Sequence, residues 1–434
     1  MALGRRPKNR QQSIWIPHSK IARNPGHPFY QRLNQILAKE HFDEWLEGLC
    51  ERYFRQGGRP SIPPGVYFRM LMIGYFEGLS SERAIAWRCA DSLSLREFLG
   101  MVLTETTPEH STLSVWRKRL EVGTYEEVFR KILAIVERYG LLKGEVLGVD
   151  STTLEANAAM RSIIRKDTGE TYRDYLAGLA REAGMEEPTP EELRNFDRNR
   201  KGRKTSNRDF ESPSDPDARI AKMKDGSTHL AHKAENAVDV ETAVVVSANL
   251  FPADQGDTQS LPDTIAQSQE NLHAVNSDKS IISVVTDRGY HKASLIHDLY
   301  WDEGITTYIP ERKSLQRRKW HGDKRQCQAF HANRRRCQSG YGKWLIRQRA
   351  AIVERVFAHL LETGGLRRIH LRGRENIQKR YLVHVLAYNL SIVMRAVCGF
   401  GTPRSTGDLK TLLSLLIVCG LILAELHFLL HDEM

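Results

Sequence analysis

Cysteine is scarce in this chain, with six in 434 residues: Cys50, Cys89, Cys327, Cys337, Cys398 and Cys419. Thiols so thinly scattered exclude a small disulfide-stapled fold and predict reduced side chains in a cytoplasmic protein. The basic start, Met1 to Lys8, has no apolar core behind it, so no secretory leader is expected. Nor does any apolar run reach the roughly 20 residues that span a bilayer. The stretch Leu412 to Ala424 falls short and is followed by Glu425 and His427, so residues 401–434 are expected to hold a docking or oligomerising helix, not a membrane anchor. Zinc is not expected either: Cys327, His331 and Cys337 fit no common ligand spacing, and His321 is a weak fourth donor.

What the chain does have is length and positive charge. At 434 residues it is too long for one small core, and two or three domains are expected. The formal net charge is +11. Residues 301–380 alone hold 20 Lys and Arg against 7 Asp and Glu, so the basicity is local. A concentrated surplus of this kind points to a surface for a polyanion.

Residues 1–28 read as a flexible basic arm, and residues 29–122 as a helical region. Helices are expected from His41, from Pro63-Pro64, from Ser80-Ser81-Glu82 and over Thr112–Arg119, the last with Arg117, Lys118 and Arg119 on its polar side. Short helices with basic faces suit a helix-turn-helix-like DNA reader. Thr124-Tyr125-Glu126-Glu127 has the form of a capping box, opening a connecting helix within 123–145. A strand should end at Asp150, and residues 158–212 form a polar excursion expected to be mostly mobile, with one helix after Thr189-Pro190-Glu191-Glu192. Beyond it come a hairpin over 237–246, a helix near 257–275, a strand ending at Asp287, a helix near 292–300 and a strand at 306–309. Strands alternating with helices after a hairpin give an α/β fold with a mixed sheet over 146–400.

Three acids stand out. Asp150 closes the apolar run Val146–Val149, and Asp287 closes Ile281–Thr286. Glu354 lies at the edge of a helical stripe formed by Val353, Val356, Phe357, Leu360 and Leu361, on the side of Arg347. Ligands bind where strands deliver their carboxyl ends. Carboxylate oxygens are the donors that Mg²⁺ prefers, with Mn²⁺ as a substitute, and a metal pair roughly 3.5–4 Å apart can drive phosphodiester chemistry. The basic clusters Arg317-Arg318-Lys319 and Arg334-Arg335-Arg336, interleaved with Trp320, Phe330 and Tyr341, suit phosphate contact and stacking on unpaired ends.

These residues resemble a known family. Gly148-Val149-Asp150-Ser151-Thr152, Asp287-Arg288-Gly289-Tyr290-His291 and Val353-Glu354-Arg355-Val356-Phe357 are similar to the three acidic motifs of bacterial insertion-sequence transposases of the DDE class. Asp215-Pro216-Asp217-Ala218-Arg219 and His232–Asp239 resemble the segment between their first two acids. Gly78-Leu79-Ser80 and Thr112-Leu113-Ser114 resemble parts of their helical N-terminal domain. The resemblance implies an RNase H-like core preceded by an all-α domain, and Asp150, Asp287 and Glu354 as catalytic metal ligands. It further implies action on double-stranded DNA at transposon ends and target, with a homodimer formed on that DNA. Arg288 and His291 are expected near phosphate. Many relatives place a Tyr and an Arg before the Glu and a Lys seven residues after it; here those positions hold Arg347, Ala350 and Leu361. Arg347, Arg349 and Arg355 are the candidates to take over that Lys's phosphate contacts. Two other readings remain: a structure-selective nuclease on the same core, and a catalytically inactive DNA-binding derivative.

Overall fold

A computed structural model describes residues 26–405, apart from 56, 58–59, 202–204, 224–225, 277, 313–319 and 321–322. The expected arm, the Arg317–Lys319 cluster and the apolar segment at 412–424 lie outside the described residues.

Six helices come first: α1 (Pro28–Lys39), α2 (Phe42–Cys50), α3 (Pro64–Glu77), α4 (Glu82–Asp91), α5 (Leu93–Phe98) and α6 (His110–Arg119). The α3 helix starts where proline fixes φ, and it ends at Gly78, whose φ of 69° suits a residue without Cβ. Nearly every residue of α3 is buried, so it forms the axis of the helical part. Ser81 caps α4 by accepting from the Ala84 amide, as the sequence led one to expect.

The connecting helix, α7 (Val122–Arg138), starts two residues before Thr124. Thr124 is therefore inside the helix and fully buried, with its hydroxyl 2.7 Å from Tyr53 Oη. The capping box expected at Thr124 does not form, because the hydroxyl is used across the helix pair. Its apolar face, Val128, Ile132, Ile135 and Val136, packs against α14 (Arg374–Cys398). One continuous core joins α1–α7 to the sheet and to α14. Among the described residues α14 is the one helix long and apolar enough to cross a membrane, and it is mostly buried here. It is a core helix.

The sheet follows. β1 (Val146–Glu155) pairs antiparallel with β5 (Thr228–Asp239), which pairs antiparallel with β6 (Val245–Pro252). On its other side β1 runs parallel to β7 (Ser283–Val285), and β7 parallel to β8 (Thr306–Tyr308). A short β4 (Arg219–Lys222) extends the early part of β5. Antiparallel hairpin strands beside a central β1, with parallel strands opposite, make this the expected RNase H-like mixed sheet. Helices α10 (Asp257–Val275), α11 (Ala293–Trp301), α12 (Lys324–Gln338), α13 (Gly340–Ala358) and α14 flank it.

Two expectations change. β1 does not end at Asp150 but continues to Glu155, because β5 is long enough to pair with it throughout. The stretch 158–212 is not mostly mobile. It holds β2 (Ile164–Arg165) paired with β3 (Phe210–Glu211), and helices α8 (Tyr172–Glu182) and α9 (Pro190–Asn199). Thr189 and Glu192 do form the capping box. Few apolar residues are present, but Ile163 and Phe210 cluster with Ala156 and Leu230 at the end of β1, while Leu176, Ala180 and Leu193 join α8 to α9. Asp215 and Asp217 tie this lobe's exit to α14: Asp215 meets buried His232 at 3.1 Å and accepts from the Gly373 amide, and Asp217 accepts from the Arg374 amide.

Candidate active site on the central strands

The parallel register aligns Val146 with Ser283, Leu147 with Val284 and Gly148 with Val285. Asp150 stands two residues past Gly148 on β1, and Asp287 two residues past Val285, just beyond the end of β7, so each lies equally far past the last pair of the ladder. The amide of Ser151 donates to Asp150 Oδ1 at 2.8 Å, and Arg349 Nη1 donates to Oδ2 at 2.6 Å. Asp287 Oδ1 accepts from the Gly289 amide at 2.7 Å, as it caps a short 3₁₀ turn, Arg288–Tyr290.

Burial pushes the Asp150 carboxyl above the ordinary carboxylate range; Arg349 and the Ser151 amide pull it down, and the charge of Asp287 adds to the rise. Arg349 reaches Asp150 from α13, which crosses β1 at Gly148. A Cβ there would stand 2.8 Å from Arg349 Cγ and 3.2 Å from Val353 Cγ2, so glycine permits the close crossing. Glu354 follows Val353 and is exposed, continuing the helix stripe of Lys343, Arg347 and Ala350. Among the described residues no side chain bonds to it. Lys343 and Arg347 line a cleft of about 590 Å³ together with Asp287, Arg288, Pro310, Ile346 and Arg349.

On the opposite face of β1 lies a group that the sequence reading missed. Ser151 Oγ is 3.1 Å from Asp257 Oδ1, Lys233 Nζ lies 2.7 Å from the same oxygen, and Tyr290 Oη donates to Glu235 Oε2 at 2.8 Å. The signal was available in His232-Lys233-Ala234-Glu235, where two charges alternate along an otherwise apolar strand and so share one buried face.

Arg349 answers the Asp150 carboxylate, while across the strand Lys233 lies between Asp257 and Glu235. The carboxylate oxygens of Asp150 and Asp287 are the donors that a hard divalent cation prefers. The residues therefore suit the metal that the sequence called for. Among the described residues the one group of three donors within 4.8 Å of one another is His297, Asp298 and Asp302, on the surface at the end of α11.

Two family models match the chain. One is a transposase domain (DUF772) over residues 18–119, and the other a transposase DDE domain over residues 183–390. The chain belongs to the DDE transposases. The second match contains Asp287 and Glu354 and begins after Asp150. No curated protein and no solved structure matches the chain.

The expected DNA contacts divide in two. Arg288, Arg347, Arg355, Arg335, Lys118 and Arg119 are exposed, although Arg119 also lies over the Phe54 ring at 4.7 Å. Arg349, Arg336 and Arg117 are internal ties and not exposed phosphate contacts: Arg349 holds Asp150, Arg336 bonds the Thr307 carbonyl, and Arg117 pairs with Glu82. Each is drawn inward by a buried acceptor that the sequence did not reveal. Arg334 pairs with Glu311 at 2.6 Å, and His291 packs edge-on to Phe330. Leu361, at the family's Lys position, is half-buried against the core.

Proposed function

We propose that this transposase binds the terminal inverted repeats of an insertion sequence and carries out metal-dependent strand cleavage and strand transfer. Asp150, Asp287 and Glu354 are its catalytic acids and the ligands for Mg²⁺, with Mn²⁺ able to substitute. Bound metal supplies the Lewis acid that activates the attacking hydroxyl and neutralises the leaving oxygen. The observation that supports this reading is that Asp150 and Asp287 each stand two residues past the last pair of neighbouring parallel strands, with Asp287 lining a cationic cleft beside Arg349, the partner of Asp150.

The chain's own groups have distinct parts in this reading. Asp150 and Asp287 hold the metal side, and Arg349 balances the Asp150 charge until metal arrives. Lys343, Arg347 and Arg288 hold the scissile strand's phosphates along the cleft wall, and the exposed Arg355 and Arg335 add further phosphate contacts. Residues 29–122 read the repeat through Lys118 and Arg119. Residues 123–145 connect and 146–400 catalyse. The working form is a homodimer on nucleoid DNA in the cytoplasm.

The test is cleavage of a supercoiled plasmid carrying the DNA that flanks the gene. Mg²⁺-dependent nicking at matched inverted repeats, abolished in Asp150→Asn, is the expected result. Nicking that is indifferent to those repeats would leave a structure-selective nuclease, and binding to the repeats without any nicking would leave an inactive derivative.

A further inference from the structure

The β1–β7 ladder is short: three residue pairs, ending at Gly148 and Val285. Both acids lie beyond its last pair. Something other than this ladder has to fix their separation, and the opposite face of β1 provides it.

Strand alternation turns Ser151 and Thr153 away from the Asp150 side, where they pair with Glu235 and Lys233 of β5. Glu235 is fully buried and Lys233 nearly so. Glu235 accepts from Ser260 Oγ and Thr264 Oγ1 at 2.6 Å each, and from Tyr290 Oη. Lys233 Nζ bonds Ser260 Oγ at 2.8 Å and lies 2.7 Å from Asp257 Oδ1 and 3.3 Å from Glu235 Oε2. Asp257, the first residue of α10, thus accepts from Lys233 and from the Ser151 hydroxyl through one oxygen. Its other oxygen faces the Asp287 turn. A Cβ built on Gly289 would stand 2.5 Å from Asp257 Oδ2 and 2.9 Å from Asp287 Oδ1. Asp257 therefore touches the residue after Asp150 and abuts the residue two after Asp287.

We propose that Asp257, clamped by Lys233, is a positioning residue that holds the Asp150 strand and the Asp287 turn at the spacing needed for divalent metal. Tyr290 and Glu235 anchor the same turn from behind. Burying one ammonium between two carboxylates costs desolvation that a well-packed apolar cluster would avoid, so a geometric role accounts for the network better than stability does. The inference rests on the assignment of Asp150 and Asp287 as metal ligands.

Metal binding is read with Ca²⁺ as the probe, by the rise in Tm of the full chain, and Mg²⁺-dependent nicking is measured alongside. Asp257→Ala is expected to raise the Ca²⁺ and Mg²⁺ concentrations at half effect about 10–100-fold, the range for groups that orient metal ligands. Its metal-free Tm should fall only modestly, because Lys233 keeps Glu235 at 3.3 Å, and Asp257→Asn, which keeps the shape, should recover part of the midpoint loss. Should Asp257→Ala fail to fold, Ser151→Ala removes the bond from the other partner and is expected to shift the same midpoints less. Unchanged midpoints in the folded variants, or a lower metal-free Tm with no midpoint shift, overturn the proposal. If the wild-type chain shows neither a Ca²⁺ shift nor nicking, or if Asp150→Asn keeps both, the metal-site reading itself is what fails.

Discussion

Asp150 and Glu354 are held by opposite means. Asp150 sits in the middle of a strand paired on one side over its whole length, with both carboxylate oxygens bonded. Glu354 projects from an exposed helix face and is held only by the packing of Val353 and Val356 beneath it. The contrast teaches that, under the proposed assignment, the first acid is fixed by its strand while the third depends on the rotation of one helix. Errors in the first cost geometry, and errors in the second cost approach.

The largest expected effect comes from neutralising the fixed acids. Asp287→Asn should lower nicking on the order of 10³-fold, the scale of losing a principal electrostatic contact in a dry site, with little change in DNA affinity. Kinetics at saturating DNA check it; a loss appearing mainly in KM would contradict the placement. Next is the tie between helix and strand. Arg349→Met leaves the mostly buried Asp150 without its cation, and urea unfolding should show a loss of about 3 kcal/mol. Added Mg²⁺ should restore part of that loss, whereas a simple packing defect would not respond to metal. Gly148→Ala would push α13 off β1 and should cost about 1–3 kcal/mol while moving Glu354 away from the fixed pair. Nicking should fall more than stability explains.

A pH series sharpens the same contrast. In the metal-free fold Asp150 holds its proton to higher pH than it does unfolded, so its contribution to stability is greatest below the unfolded value and declines as pH rises through the folded one. Metal competes with that proton, so the Tm gain from Ca²⁺ should grow as pH rises through the raised titration of the Asp150 carboxyl and then level off. Asp287→Asn, which removes one source of the upward push on Asp150, should move the decline in metal-free stability to lower pH. The smallest effect is expected on the cleft wall: Lys343→Ala should weaken DNA binding several-fold and lower the salt slope by about one.

Much of this architecture is legible in the sequence because its cues are local. Pro64 and Gly78 bracket α3, Ser81 caps α4, Thr189 and Glu192 form their box, and the apolar runs before Asp150 and Asp287 mark neighbouring strands. What stayed hidden depends on partners distant in the chain. Thr124 has the form of a cap, but its hydroxyl serves Tyr53, 71 residues away. Arg349 has the form of a phosphate contact, but it answers a carboxylate 199 residues away. Lys233 and Glu235 read as a polar interruption of a strand until Asp257 and Tyr290 close around them. The lobe at 158–212 looked too polar to fold, because its small core borrows Ala156 and Leu230 from the main sheet.

That lobe grows directly out of β1, only five residues past Asp150. A hydrogen-bonded strand hardly stretches or bends within its own plane, so those five residues behave as a short rod with a carboxylate at one end and a handle at the other. Tilting the handle turns the rod, and the acid turns with it. Under the proposed assignment of Asp150, the inserted lobe and the metal site would share one strand.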